Sequence, residues 1–112
     1  MAATALTVTA LSRAGVSPPA EVAGDATNGN SVANDGRTWI EATNTDGAAS
    51  HTVTFAIPGT VDGQAIGDRA ETLAASASAR YGPFPASVYG LSLGITVDSA
   101  MITLAAYRLP AS

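Results

Sequence analysis

Polar and apolar residues alternate with a period of two in five separate stretches of this 112-residue chain, and no stretch alternates convincingly with the period of a helix. A strand turns successive side chains to opposite faces, so this pattern builds sheets that bury one side. In "ALTVTAL", Ala5 to Leu11, the alternation sets Leu6, Val8 and Ala10 inward and Thr7 and Thr9 outward. "RTWIEATN", Arg37 to Asn44, is a second strand, with either Ile40 and Ala42 or Trp39 toward the core. "HTVTFAI", His51 to Ile57, buries Val53, Phe55 and Ile57. "LSLGITVD", Leu91 to Asp98, has one face of Leu91, Leu93, Ile95 and Val97, and "MITLAAYRL", Met101 to Leu109, one of Ile102, Leu104 and Ala106.

The turns between these stretches are equally legible. Asp46–Gly47 gives the second and third strands a hairpin with a longer loop, and Asp98–Ser99–Ala100 joins the last two. Pro58–Gly59 and Pro110 end strands. Residues 12–36 break the alternation and carry Pro18–Pro19, Asn28–Gly29 and Asp35–Gly36. Two readings stay open for them: an arm that orders against a partner, or a surface loop with a short strand near Glu21–Ala23. In Val61–Gly82, Asp62–Gly63 is a turn. "AETLAASASA" fits a strand, with a short helical turn as the alternative. Prolines on both sides of Phe84 make Gly82–Gly90 a loop or an edge segment. The sum is a single all-β domain spanning residues 1–112, a β-sandwich (jelly-roll-like or Ig-like) of about six to eight short antiparallel strands.

Its core is expected to be thin. Of the 52 hydrophobic residues 24 are alanine, and Val, Ile, Leu and Phe together number only 22. A lean interior with few charges points to a folded domain that gains stability from an oligomer or a larger partner. The net charge of −4 and five scattered arginines argue against nucleic acid, which needs clustered cations. The absence of cysteine removes disulfides, thiol nucleophiles and Cys-based zinc sites. No segment reaches the roughly 20 apolar residues of a membrane span, and the N-terminal stretch lacks the pattern of a secretory signal, so a soluble protein made without its own export signal is expected.

Catalytic sets are missing. His51, the one histidine, has no evident base–orienter arrangement and reads as an exposed or capping residue. Glu41 and Glu71 do not form a recognisable carboxylate pair, and Asp25, Asp35, Asp46, Asp62, Asp68 and Asp98 occupy turn positions where aspartate bonds nearby backbone N–H groups. Asp25, Asn28, Asn30 and Asp35 lack the spacing and closing glutamate of a calcium loop. No enzyme, cofactor or metal is expected. What remains is interface material: Trp39, Tyr81, Phe84, Tyr89 and Tyr107 are large residues in a chain of small ones, and the proline-stiffened "RYGPFP" places Arg80 with Tyr81 and Phe84, so that Trp39, Arg80, Tyr81, Phe84 and Tyr89 are the interface candidates. For Tyr81 and Phe84 the alternative is that they plug one end of the core.

Taken together, "NDGRTWIEATNT" (Asn34–Thr45), "VDGQAIGDR" (Val61–Arg69), "GPFPASVYG" (Gly82–Gly90) and "AAYRL" (Ala105–Leu109) resemble short all-β virion proteins of tailed bacteriophages from high-GC hosts. Some of these are minor capsid or head decoration (cement) proteins. The resemblance covers residues 28–109 and rests on structural rather than catalytic motifs. It implies a protein made in the host cytoplasm that binds the outside of an icosahedral head. There it would brace major capsid protein subunits as a homo-oligomer, with a trimer favoured. Alternatives are another virion part, at the head–tail junction or tail, and a carbohydrate-binding module using Trp39 or Tyr89 as a stacking platform.

Overall fold

The computed structural model describes residues 3–18, 20–58, 60–65 and 67–109. Pro19, Gly59 and Pro110, where the sequence places breaks, lie outside them. The described residues form, in chain order, β1 (Thr4–Ala5), β2 (Val8–Ala10), β3 (Val22–Ala23), β4 (Asn30–Ala33), β5 (Thr38–Asn44) and β6 (His51–Phe55). There follow β7 (Thr60–Val61), β8 (Gln64–Ala65), β9 (Arg69–Leu73), β10 (Ser78–Tyr81), the one-turn helix α1 (Ala86–Tyr89), β11 (Ser92–Val97) and β12 (Ile102–Arg108).

The fold is an all-β sandwich, as the alternation predicts. One sheet runs β1-β4-β11-β6-β9, and the other runs β10-β5-β12-β2, with β3 also paired to β12. A separate β7–β8 hairpin turns at Asp62–Gly63, both with positive φ. The strands are shorter and more numerous than expected, and two pairings, β1 with β4 and β2 with β12, are parallel. The reason is that the first predicted strand changes sheets. β1 pairs with β4 in one layer and β2 pairs with β12 in the other, with Leu6 buried where the chain crosses. Ala10, expected inside, is exposed at the end of β2. Residues 12–36 contain the short strand near Glu21–Ala23 as β3, and also β4, whose Val32 is only 1% exposed.

The spine of the second sheet is the seven-residue antiparallel ladder of β5 and β12, from Ile102–Asn44 to Arg108–Thr38. It settles which way β5 faces: Ile40 and Ala42 are buried and Trp39 points to the outer face. Against them pack Val53 and Phe55 of β6, Leu93, Ile95 and Val97 of β11, and Ile102, Leu104 and Ala106 of β12. Ile57 lies beyond the end of β6 and is only partly buried. Leu91, predicted inward, precedes β11 and is 76% exposed. The ambiguous "AETLAASASA" is strand, broken by a turn at Ala74–Ala77 that carries the chain from β9 in one sheet to β10 in the other. Ser76 takes a left-handed φ of 62° there.

Polar side chains finish what the small apolar ones cannot fill. On β5 the buried positions continue past Ile40 and Ala42 into Thr38 and Asn44, and around β4 Asn30 and Asn34 flank Val32. Asn44 donates from Nδ2 to the carbonyls of Ala49 (2.9 Å), Leu73 (3.1 Å) and Ala74 (3.2 Å), and its Oδ1 accepts from Asp46 N–H. It thereby ties the β5–β6 turn to the end of β9. Thr38 Oγ1 donates to Ala33 O, and Asn30 joins Thr4 O to Asp25 N–H. Among the described residues no buried side-chain nitrogen or oxygen lacks a partner. Replacing Asn44 with Leu removes its bonds to three carbonyls and to the Asp46 amide and is expected to cost roughly 2–3 kcal/mol. Urea unfolding should show a lowered midpoint at unchanged m, with Thr72→Ala, at an exposed strand position, within about 0.5 kcal/mol of the parent.

Candidate functional site

Because β5 buries its even-numbered residues, Trp39, Glu41 and Thr43 line the outer face of the second sheet, and the register decides their neighbours. Trp39 stands opposite Tyr107 on β12, and Tyr107 opposite Thr9 on β2. The Trp39 and Tyr107 rings stack at 4.4 Å with 15° between planes. Glu41 stands opposite Arg80 on β10, and Arg80 Nε and Nη2 approach Glu41 Oε2 at 3.0 and 2.9 Å. The same guanidinium carbon lies 5.9 Å from the Trp39 ring centre, within cation–π range. Glu21, from the segment before β3, braces the next row by accepting from Thr43 and Thr103, each at 3.1 Å. Tyr107 is only 8% exposed although it faces outward. Its phenol is held above the usual tyrosine range, first by burial and then by the carboxylates of Glu41 and Glu21.

Arg80 also belongs to a second feature. Beyond β10 the chain turns through Gly82 and a cis Gly82–Pro83 peptide into α1, leaving an open cleft of about 560 Å³. Arg69, Arg80, Tyr81, Pro83 and Val88 line it, with Phe84 and Tyr89 behind. Phe84 and Tyr89, 3% and 8% exposed, are part of the core cluster. Phe84 packs against Phe55 at 4.9 Å and edge-on to Tyr89 at 5.0 Å, and Tyr81 against Phe55 at 5.2 Å. The plug reading therefore describes Phe84 fully and Tyr81 in part, and Tyr89 is buried beside Phe84, the two supporting the cleft from below. Tyr81 is half-buried, and burial followed by the Glu71 charge raises its phenol above the ordinary range. The cleft is held in place by Asn34, whose Nδ2 donates to Phe84 O at 3.0 Å and Gly90 O at 2.9 Å. Among the described residues β10 ends its sheet and β9 ends the other, so two strand edges flank this corner.

Of the five residues singled out in the sequence, four meet at the cleft, and Trp39 joins them through Arg80. Sequence reasoning named Tyr107 among the large residues but missed Asn34. The place of Tyr107 beside Trp39 follows from the register of β12 with β5. Asn34 continues the period-two series Asn30–Val32–Asn34 and could have been found there.

The remaining candidates for chemistry are dispersed. Asp25, Asp35 and Asp46 accept from backbone N–H groups of their own turns; the Thr4 hydroxyl and then the Asn28 amide hold the Asp25 carboxyl below the usual range, as the Arg37 amide does for Asp35 and the Ala48 amide for Asp46. His51 is not an isolated cap: it contacts Asp46 and Asp98 at the far end of β5, on the order of 20 Å from the cleft by strand rise. The two carboxylates meet opposite sides of the ring, and among the described residues no group of three or more His, Cys, Asp or Glu is arranged to hold a metal ion. No described helix is long and apolar enough to cross a membrane. No family model, curated protein or solved structure matches the chain.

The joint between sheet face and cleft depends on Gly82, whose φ of 137° disfavours any side chain. A Cβ there would stand 2.7 Å from Trp39 Cβ and 3.1 Å from Thr38 O. Gly82→Ala should cost more than about 2 kcal/mol and shift the emission of the single tryptophan. Gly67→Ala, with open space around it, should change neither in thermal melts followed by fluorescence.

Proposed function

We propose that this protein is a virion structural component, a decoration protein that lies on the outer surface of a bacteriophage head and braces neighbouring major capsid subunits. The observation that carries the reading is the continuity of the corner: Arg80 is shared by the Trp39–Tyr107 face and the Tyr81–Pro83 cleft, next to two strand edges. Trp, Tyr and Arg brought together in this way are the side chains that dominate binding energy at protein interfaces. Three of the four segments behind the resemblance also assemble around this corner, and the fourth reaches it at Arg69. Asn34–Thr45 and Ala105–Leu109 supply the β5–β12 ladder, and Asn34 anchors Gly82–Gly90. A lean core gains from a large partner, and a shell offers repeated identical sites, so modest contacts per copy add by avidity in an oligomer.

The carbohydrate-binding alternative has less in its favour. Tyr89 is buried, and Trp39 is flanked from both neighbouring strands, by Tyr107 and by Arg80, leaving little free ring for a sugar.

Purified protein is expected to co-sediment with expanded phage shells at micromolar concentration and to raise their resistance to heat or chelator. Arg80, 68% exposed, can be replaced by Ala with little loss of fold stability, and that variant should bind at least about tenfold more weakly. Absence of binding by the parent protein, or equal binding by Arg80→Ala, would count against the proposal.

A further inference from the structure

Among the described residues β10 is paired on one side alone, and its hydrogen bonding shows which main-chain groups face out. Asn44 N–H donates to Ala77 O, so by the alternation of an antiparallel ladder Ala77, Ala79 and Tyr81 spend their main-chain groups on β5. Ser78 and Arg80 turn theirs the other way, where no described strand meets them. Such a row of N–H and C=O groups is a template for a further strand. β10 offers four residues, about 13 Å of edge. The cleft opens beside this edge, with Arg69 contributed by β9 and Arg80 and Tyr81 by β10.

The lining says what such a strand would carry. Arg69 and Arg80 are the charged residues among those described around the cleft, both more than half exposed, in a chain whose net charge is −4. Each is steadied by one carboxylate from outside the lining. Arg69 Nε lies 3.0 Å from Glu71, and Arg80 uses a single oxygen of Glu41. A guanidinium has five N–H donors, so both keep donors for an incoming carboxylate. The rest of the lining is largely apolar, with Tyr81, Pro83 and Val88, and Leu91 stands exposed just past α1. A second copy of this chain is the poorer occupant, because pairing β10 with itself gathers Arg69 and Arg80 of both copies at one seam.

We propose that the cleft takes an extended acidic segment of the partner, added to β10 as a further strand. Its main chain bonds to Ser78 and Arg80, its carboxylates meet Arg80 and Arg69, and its aliphatic side chains lie on Tyr81 and Val88. This rests on the reading of the corner as the surface that meets the partner, and it names the part of the partner that is held. Main-chain pairing supplies affinity in such an arrangement, and the alternating side chains supply specificity.

The probe is a short blocked peptide of alternating aspartate and valine, titrated into the full chain and followed by amide spectra. Shifts are expected at residues 78–82 and 86–91, with little change around Asp46 and Asp98. A lysine–valine counterpart should leave the cleft unmoved, and Arg69→Gln should weaken binding of the acidic peptide at least about fivefold. Strand addition has its own signature, which needs no protein variant. Of two acidic peptides N-methylated on alternate residues, one should bind at least about tenfold more weakly and the other nearly as well as the unmethylated peptide. Absence of shifts at the cleft, equal binding of the lysine peptide, or equal effects of the two methylated peptides would overturn the inference. Competition separates it from the decoration role. A protein that binds shells and is not displaced by the acidic peptide would overturn this inference alone. One that takes the peptide and ignores shells would overturn the decoration role alone.

Discussion

Buried side-chain amides at the ends of short strands are the constraint on which the rest of this structure depends. Alanine supplies much of the hydrophobic composition, and a sandwich core made from it leaves the ends of the layers thinly filled. Asn30, Asn34 and Asn44, with Thr38, occupy those places, none more than 3% exposed. Burying an amide is unfavourable unless its donors and acceptor are matched. Here each reaches backbone groups of loops that would otherwise be tied down by little hydrocarbon. The arrangement trades non-directional burial for directional bonds, so it fixes loop geometry as well as adding stability.

The binding corner inherits its shape from this. Asn34 follows β4 and reaches across to Phe84 and Gly90, fixing both ends of the segment that contains Pro85 and α1. Phe84 and Tyr89 fill the space below with aromatic packing, so the cleft has a firm floor. Above it, β10 is aligned by β5 so that Arg80 falls beside Glu41 and over Trp39. An exposed arginine held by a carboxylate and an indole is partly pre-organised, which lowers the entropy lost when a partner orders it. Asn44 does comparable work at the opposite end, tying the β5–β6 turn, where Asp46 and His51 stand, to the end of β9.

The sequence was readable where burial on one face imposed a strict alternation. Ile40 and Ala42, Leu93 to Val97, and Ile102 to Ala106 are inside as their period requires. It was less readable where the deciding partner is remote. The sheet change between β1 and β2 depends on parallel partners far along the chain, and it breaks one apparent strand into two. Leu91 fits the alternation but lies just before β11, where the pattern no longer governs burial. For Phe84 the sequence left surface and core both open, and for Tyr89 only size marked it; the bends fold Phe84 onto Phe55 and Tyr89 onto Phe84. For His51 the nearer acid, Asp46, was within reach of inspection, whereas Asp98 is brought in by the β11–β12 turn. At Asn34 and Asn44 the period-two series of buried positions runs on into asparagines, whose polarity conceals their place in the core.

If the corner formed by β10, Gly82–Gly90 and the Trp39 face is where this protein meets a larger surface, its amides must change on contact while the opposite end does not. Hydrogen exchange of the protein, free and bound to expanded phage shells, is the most direct measurement. The account predicts added protection across residues 78–91 and little change around Asp46 and Asp98. Protection confined to the His51 end, or none at saturating shell concentration, would contradict it.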